Sequence, residues 1–215
     1  MTDALKTPRT TLKRRHDRGE YDLAAVAAVL DRSFLCHLGF VVDGQPYVLP
    51  TCYGREGDIV YLHGSSASRM VRHMAAGLPV SLTVTLLDGL VLARSAFHHS
   101  VNYRSAMILG TAEPVTGGEK LHALEVITEQ IVPGRWADCR LPTAQEMKAT
   151  GVLRLAIAEA SVKTRSGPPI DDDEDMGLPH WAGTIPLALS PGAPLADPAA
   201  PDQASPPAYL AGWGR

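Results

Sequence analysis

The segment densest in reactive side chains is Asp58-Ile-Val-Tyr-Leu-His63-Gly64-Ser65-Ser66-Ala67-Ser68-Arg69. An apolar run enters a glycine, then serines and an arginine that open a helical stretch. At such a junction the first backbone N–H groups lack intrahelical acceptors and the dipole end is positive, which suits a phosphate. Gly64 lets a backbone approach closely, Ser65 and Ser68 carry hydroxyl donors, and Arg69 can meet an anion with two parallel N–H groups. The same residues read equally well as an ordinary serine cap followed by a surface arginine.

A second cluster, Ala96-Phe97-His98-His99-Ser100-Val101-Asn102-Tyr103-Arg104-Ser105, lies between two predicted strands. Adjacent histidines in extended chain point to opposite faces, so the pair is poorly arranged for one metal ion. Arg104 and Ser105 open an otherwise apolar strand and are the better ligand candidates. In Val48-Leu49-Pro50-Thr51-Cys52-Tyr53 the proline cannot donate to a ladder, and free backbone groups and the Thr51 hydroxyl beside it could meet the polar rim of a planar ring; a simple edge strand fits the segment equally well. The acidic run Asp171-Asp172-Asp173-Glu174-Asp175 has no calcium-loop spacing and reads as a solvated loop. Trp181 after it could lie flat on an aromatic cofactor or plug a barrel. No G-x-G-x-x-G, Walker loop, G-x-S-x-G or H-E-x-x-H is present, so Rossmann dinucleotide binding, nucleotide hydrolysis and serine or zincin hydrolysis lose support.

The elements that must position these groups are mostly short strands. Runs rich in Val, Leu, Tyr and Thr predict strands near 36–42, 45–53, 58–63, 79–87, 90–97, 103–115 and 152–163. Asp43-Gly44 and Asp88-Gly89 are hairpin signals, and Arg55-Glu56-Gly57-Asp58 is a third turn. Helices are expected at 21–31, at 65–76, along the Leu121, Leu124, Ile127, Ile131 stripe, and behind the Thr143-x-x-Glu146 capping box. This is an α+β pattern dominated by an antiparallel sheet, for which barrel closure removes the edges. Residues 1–19 read as a flexible polar arm, 20–188 as the folded domain, and the Pro/Ala-rich 189–215 as a tail without a core of its own.

With 215 residues, 45% of them hydrophobic, the chain has ordinary globular composition. Its formal net charge of −3 argues against an electrostatic grip on nucleic acid or an anionic membrane. Cys36, Cys52 and Cys139 are far apart and suggest neither a disulfide framework nor a zinc site, and no apolar run or leader pattern is evident. A cytoplasmic protein with reduced thiols is expected.

In order, Leu49-Pro50-Thr51-x-Tyr53, Tyr61-Leu62-His63-Gly64-Ser65, Pro79-Val80-Ser81-Leu82, Asp88-Gly89-Leu90-Val91, Asn102-Tyr103-Arg104-Ser105, Lys163-x-Arg165 and Trp181-Ala182-Gly183 resemble the flavin-nucleotide-binding branch of the pyridoxamine 5′-phosphate oxidase-related family, which is similar to the nitroimidazole-resistance proteins. The resemblance covers about residues 20–188. It implies a six-stranded split β-barrel, a homodimer with FMN at the subunit interface, and flavin-dependent oxidoreduction of a small molecule. It places the phosphate at the Gly64 junction on Ser65, Ser68 and Arg69, with Thr51, Cys52 and His63 beside the ring system. Arg104 and Ser105 reach the site from the same or the partner subunit, and Lys163 and Trp181 are further carry-overs. The chain lacks a basic substrate-phosphate cluster near its C-terminus, so vitamin B6 oxidation is not implied. A haem-binding split barrel with His63, His98 or His99 as ligand, and a non-catalytic flavin carrier, are the alternative expectations.

Overall fold

The computed structural model describes residues 3–199, 205–211 and 213 of the chain. One antiparallel sheet, curled into a split barrel, organises everything else. In chain order the elements are β1 (Gly19–Glu20), α1 (Leu23–Leu30), β2 (Leu35–Val42), β3 (Gln45–Glu56), β4 (Ile59–Ser65), α2 (Arg69–Ala75), β5 (Pro79–Leu92), β6 (Ser100–Thr111), β7 (Glu113–Pro114), α3 (Gly117–Ile131), α4 (Ala144–Ala149), β8 (Thr150–Ala156), β9 (Ala160–Arg165) and β10 (Gly183–Pro186). Strand order is β1-β9-β6-β5-β2-β3-β4-β8-β7, with β10 added on β5. The described residues form ten strands where six are expected; setting aside the two-residue edge strands β1 and β7 and the added β10 leaves seven. No described helix is long and apolar enough to cross a membrane.

Alternation of side chains along each strand gives the barrel its inside. Leu38, Tyr53, Leu62, Leu82, Val84, Ala106, Ile108, Leu153, Leu155 and Val162 form one buried cluster with Met74 of α2 and Val26 and Leu30 of α1. The Tyr53 hydroxyl donates to the Leu30 carbonyl at 2.6 Å, tying α1 over one barrel end. A smaller cluster, Tyr61, Val152, Ala123 and Ile127, lies on the exterior under α3. A Cβ at Gly54 would stand 2.7 Å from the backbone of Val126 and Ile127, so this glycine lets α3 lie flat on β3.

Asp43 and Gly44, both at positive φ, close the β2–β3 hairpin in register Val42↔Gln45, and the capping box of α4 forms with both bonds present. Asp88-Gly89 is not a hairpin. The expected strands 79–87 and 90–97 are largely one strand, β5, whose register against β6 shifts between Leu87 and Gly89. An Asp-Gly pair serves a bulge as well as a turn, and bare Gly89 admits β10, with the Ile185 carbonyl 2.9 Å from its missing Cβ position. The expected strand 152–163 is two strands with different partners, β8 on β4 and β9 on β6. Its break at Ile157-Ala158-Glu159 contains neither Gly nor Pro, so composition carried no punctuation there.

Both termini touch the barrel. Leu5 is buried in the main cluster, and Arg9 and Thr7 bind the Glu159 carboxylate. In the 189–215 tail, part of which lies outside the described residues, the Trp213 indole donates to the Ile131 carbonyl at 3.0 Å and its ring centroid lies 6.0 Å from that of Phe34. The Tyr209 hydroxyl donates to Asp138 at 2.7 Å and accepts from Arg135 at 2.9 Å.

Candidate functional site

Register decides which of the predicted residues can act together. Lys163 pairs with Ser105, Ser105 with Thr85, Leu35 with Cys52, and His63 with Val152. Carrying the β2–β5 register two steps and the β3–β4 register one step past the last pair sets Thr85 beside Leu35 and Cys52 beside His63. Lys163, Ser105, Thr85, Leu35, Cys52 and His63 therefore form one transverse row. Every member alternates with a core residue, and Val152, beside His63, packs under α3, so the row lies on the barrel exterior. Four residues selected from distant parts of the sequence thus share one face. Thr85 was not selected; its hydroxyl lies 3.2 Å from that of Ser105, a neighbour visible only once β5 and β6 are aligned. His37, exposed and paired with Thr83, stands on the same face in the adjoining row.

His63 has the most constrained environment of the row. Its Nδ1 is buried with no hydrogen-bond partner, and burial pushes its pKa below the usual histidine range, so the imidazole is neutral at pH 7. A buried, unsatisfied ring nitrogen is costly unless a ligand meets it.

The strand-to-helix junction continues from this row. Ser65 is exposed; its hydroxyl oxygen accepts from the Ala67 N–H at 3.3 Å, leaving its proton to donate. Ser68 caps α2 by accepting from the Val71 N–H at 3.2 Å. Arg69 is exposed, with its guanidinium 4.7 Å from the centre of the Tyr47 ring. Stacking fixes the plane of a guanidinium and leaves its edge N–H groups free to meet an anion. Gly64 is spent on packing, since a Cβ there would meet Val71 Cγ2 at 3.1 Å.

Three predicted residues lie off the row. Thr51 shares the inner face with Cys36 and Tyr53, and its carbonyl accepts from the Cys36 thiol. Arg104 faces away from Ser105, and its fork is held by Asp88 at 2.7 and 3.0 Å. Trp181 precedes β10, which pairs the far end of β5, and its ring folds back over Gly183. His98 and His99 are committed to Asp172 and to the Ser95 carbonyl, at 3.2 and 3.0 Å. No cluster able to hold a metal ion occurs among the described residues. Asp171, expected in a solvated loop, is instead buried and accepts from the Arg94 and Ser95 N–H groups and the Arg94 side chain.

A family profile described as pyridoxamine 5′-phosphate oxidase matches residues 22–164. The flavocytochrome Anf3 of Azotobacter vinelandii is 43% identical over 95% of this chain and 95% of its own, with a TM-score of 0.89. The FAD and heme binding protein of Mycobacterium smegmatis is 38% identical over 92% of this chain and 97% of its own, with a TM-score of 0.85. A candidate 5-nitroimidazole antibiotic resistance protein of Bacteroides thetaiotaomicron shares the fold, at 23% identity over 67% of this chain and 85% of its own and a TM-score of 0.57. No curated protein sequence matches the chain. The profile spans well over half of the chain, and two relatives match nearly all of it above 30% identity, so the protein belongs to the pyridoxamine 5′-phosphate oxidase family.

Proposed function

We propose that this chain binds a flavin nucleotide, FMN in our reading, and acts as a flavin-dependent oxidoreductase on a small molecule. The observation that carries the proposal is the exterior row, which sets Lys163, Ser105, Cys52 and His63 along one face and ends at the Ser65–Arg69 junction. The buried, partnerless Nδ1 of His63 fits a cofactor that brings a hydrogen-bond partner to it. Bound flavin would supply hydride or single-electron transfer. The chain's own residues would do the rest. Ser65 and Arg69 hold the phosphate end, Ser105 and Thr85 offer hydroxyls to the ring edge, and neutral His63 donates or accepts one hydrogen bond from within the barrel wall.

The exterior face also exposes Leu35 and Leu87, which lie outside the β2–β5 opening. A second copy packed there would cover this apolar surface and close the site, which supports a homodimer with the cofactor at the interface. Cytoplasmic residence belongs to the same proposal, since Cys36, Cys52 and Cys139 are free thiols.

Haem is a second reading, favoured because the relatives at 43% and 38% identity are described as a flavocytochrome and as an FAD and heme binding protein. Among the three histidines considered, His63 suits that role, being neutral and partnerless at Nδ1 while His98 and His99 are engaged. The test is the absorption spectrum of the purified protein, followed by chromatography of the released cofactor. FMN bands and an FMN peak are expected. An FAD peak would correct the nucleotide, a Soret band alone would favour haem, and a colourless protein that takes up no flavin would overturn the proposal.

A further inference from the structure

The barrel is split where β2 and β5 part company. They pair only through His37↔Thr83, Leu38↔Leu82 and Gly39↔Ser81. Beyond Gly39, β2 continues with β3, while the start of β5 continues with β6 through Pro79↔Thr111 and Val80↔Gly110. Between the diverging edges lies a cavity of about 570 Å³, a size suited to a small organic molecule. None of the residues selected for the flavin site lines it.

Its chemistry is distinctive. Phe40 and Tyr47 stack, with centroids 5.7 Å apart and planes 18° apart, and His73 lies against Phe40 at 5.0 Å. These rings make one wall, suited to the face of a planar aromatic molecule. No acidic side chain lines the cavity, and the guanidinium of Arg9, at its rim, is already held by Glu159. A charged ligand would be buried without a counter-charge, so the lining selects a neutral one. Polar recognition is still available. No ladder bonds join the strand edges beyond Gly39 and Ser81, and Ser81 lines the opening. His73 Nε2, 3.3 Å from the Pro79 carbonyl, bridges α2 to β5 across one end of the opening.

We infer that this cleft is a second ligand site, distinct from the flavin site, that takes a neutral, planar, two-ring aromatic carrying a hydroxyl or carbonyl at its edge. The ring face lies on Phe40 and Tyr47, and the edge group meets the open strand backbone or Ser81.

The test is calorimetric titration of the purified full-length protein, cofactor content measured throughout, with 2-naphthol as the neutral probe and 2-naphthoate as its charged counterpart. Saturable binding of 2-naphthol at one site per chain is expected, with 2-naphthoate at least about tenfold weaker because Arg9, the one Arg or Lys in the lining, is already paired with Glu159. Phe40→Leu removes a stacking wall, and Leu78→Trp, at an exposed position on the rim, blocks entry without touching the core. Each should weaken 2-naphthol binding about tenfold or more while cofactor content stays at the parent level. Parent-like 2-naphthol binding in both variants would overturn the inference. So would equal affinity for the two probes, or displacement of 2-naphthol by added flavin or haem, which would make the cleft part of a cofactor site. Absence of flavin from the protein would defeat the functional proposal above and leave this one standing.

Discussion

Arg104 and Asp88 form a two-point ion pair, 2.7 and 3.0 Å, across the bulge where β5 changes register against β6. The Asp88 carbonyl also receives the Leu187 N–H at 3.0 Å, so one residue anchors both the Arg104 fork and the chain leaving β10. Arg104 thereby braces the β5–β6–β10 corner through its Nε and Nη2. Both side chains are about a third exposed, which limits the value of the pair. Arg104→Ala and Asp88→Ala should each destabilise modestly, with a coupling energy in the double mutant of under about 1 kcal/mol, and both should retain flavin. Denaturant titration with a parallel flavin assay checks this; loss of flavin in Arg104→Ala but not in Asp88→Ala would return Arg104 to the site.

His63 should leave a pH signature. Its folded pKa lies below the ordinary value of 6.5 because burial disfavours the imidazolium, whereas the unfolded chain titrates near 6.5. The unfolded state therefore binds the extra proton first. Stability is unaffected above that pH, and it falls on acidification from about 6.5 down to the lowered folded pKa. His63→Phe should flatten this part of the stability curve for the apoprotein. Identical slopes in parent and variant, by thermal melts from pH 7.5 to about 5, would show that His63 is not held neutral by burial.

The cysteines should separate by reactivity. Cys36 is buried, and desolvation pushes its thiol up to about 12, so almost no thiolate exists at neutral pH. Cys139 is exposed. A maleimide reagent should label Cys139 quickly in the native protein and reach Cys36 only after unfolding, as read by peptide mass mapping. Native labelling of Cys36 at the rate of Cys139 would contradict the packing of β2 against the core.

Trp213 predicts that the tail contributes to stability. One indole hydrogen bond to Ile131 and the ring contact with Phe34 imply a loss of about 1–2 kcal/mol in Trp213→Ala. Chemical denaturation measures it. An unchanged midpoint would mean that the aromatic end of the tail adds nothing to the fold.

Much of this architecture was legible in the sequence where a local rule governs. The Asp43-Gly44 hairpin, the Thr143–Glu146 capping box and the helix behind Asp22 each rest on bonds between near neighbours. The bulge at Asp88 and the break after β8 were misread because each depends on which distant strand lies alongside. The same limit applies to the site. Residue type selected Ser105 and the family resemblance added Cys52, His63 and Lys163, but their common face follows from long-range register, and Thr85 has no distinguishing local signal. The pairing of Arg104 with Asp88 was hidden because Asp88 reads as a turn residue. The Phe40–Tyr47–His73 cleft was invisible, because a gap between strands leaves no motif.

The central claim is that a flavin nucleotide lies along the exterior row with its phosphate at Ser65 and Arg69. Its most direct test is to titrate FMN and riboflavin, at one fixed salt concentration, into the apo forms of the parent protein and of Arg69→Ala. Arg69→Ala should weaken FMN by about ten- to hundredfold, the loss of one charge-assisted contact, and leave riboflavin, which has no phosphate, unchanged. Equal weakening of both ligands, or no change in either, would contradict it.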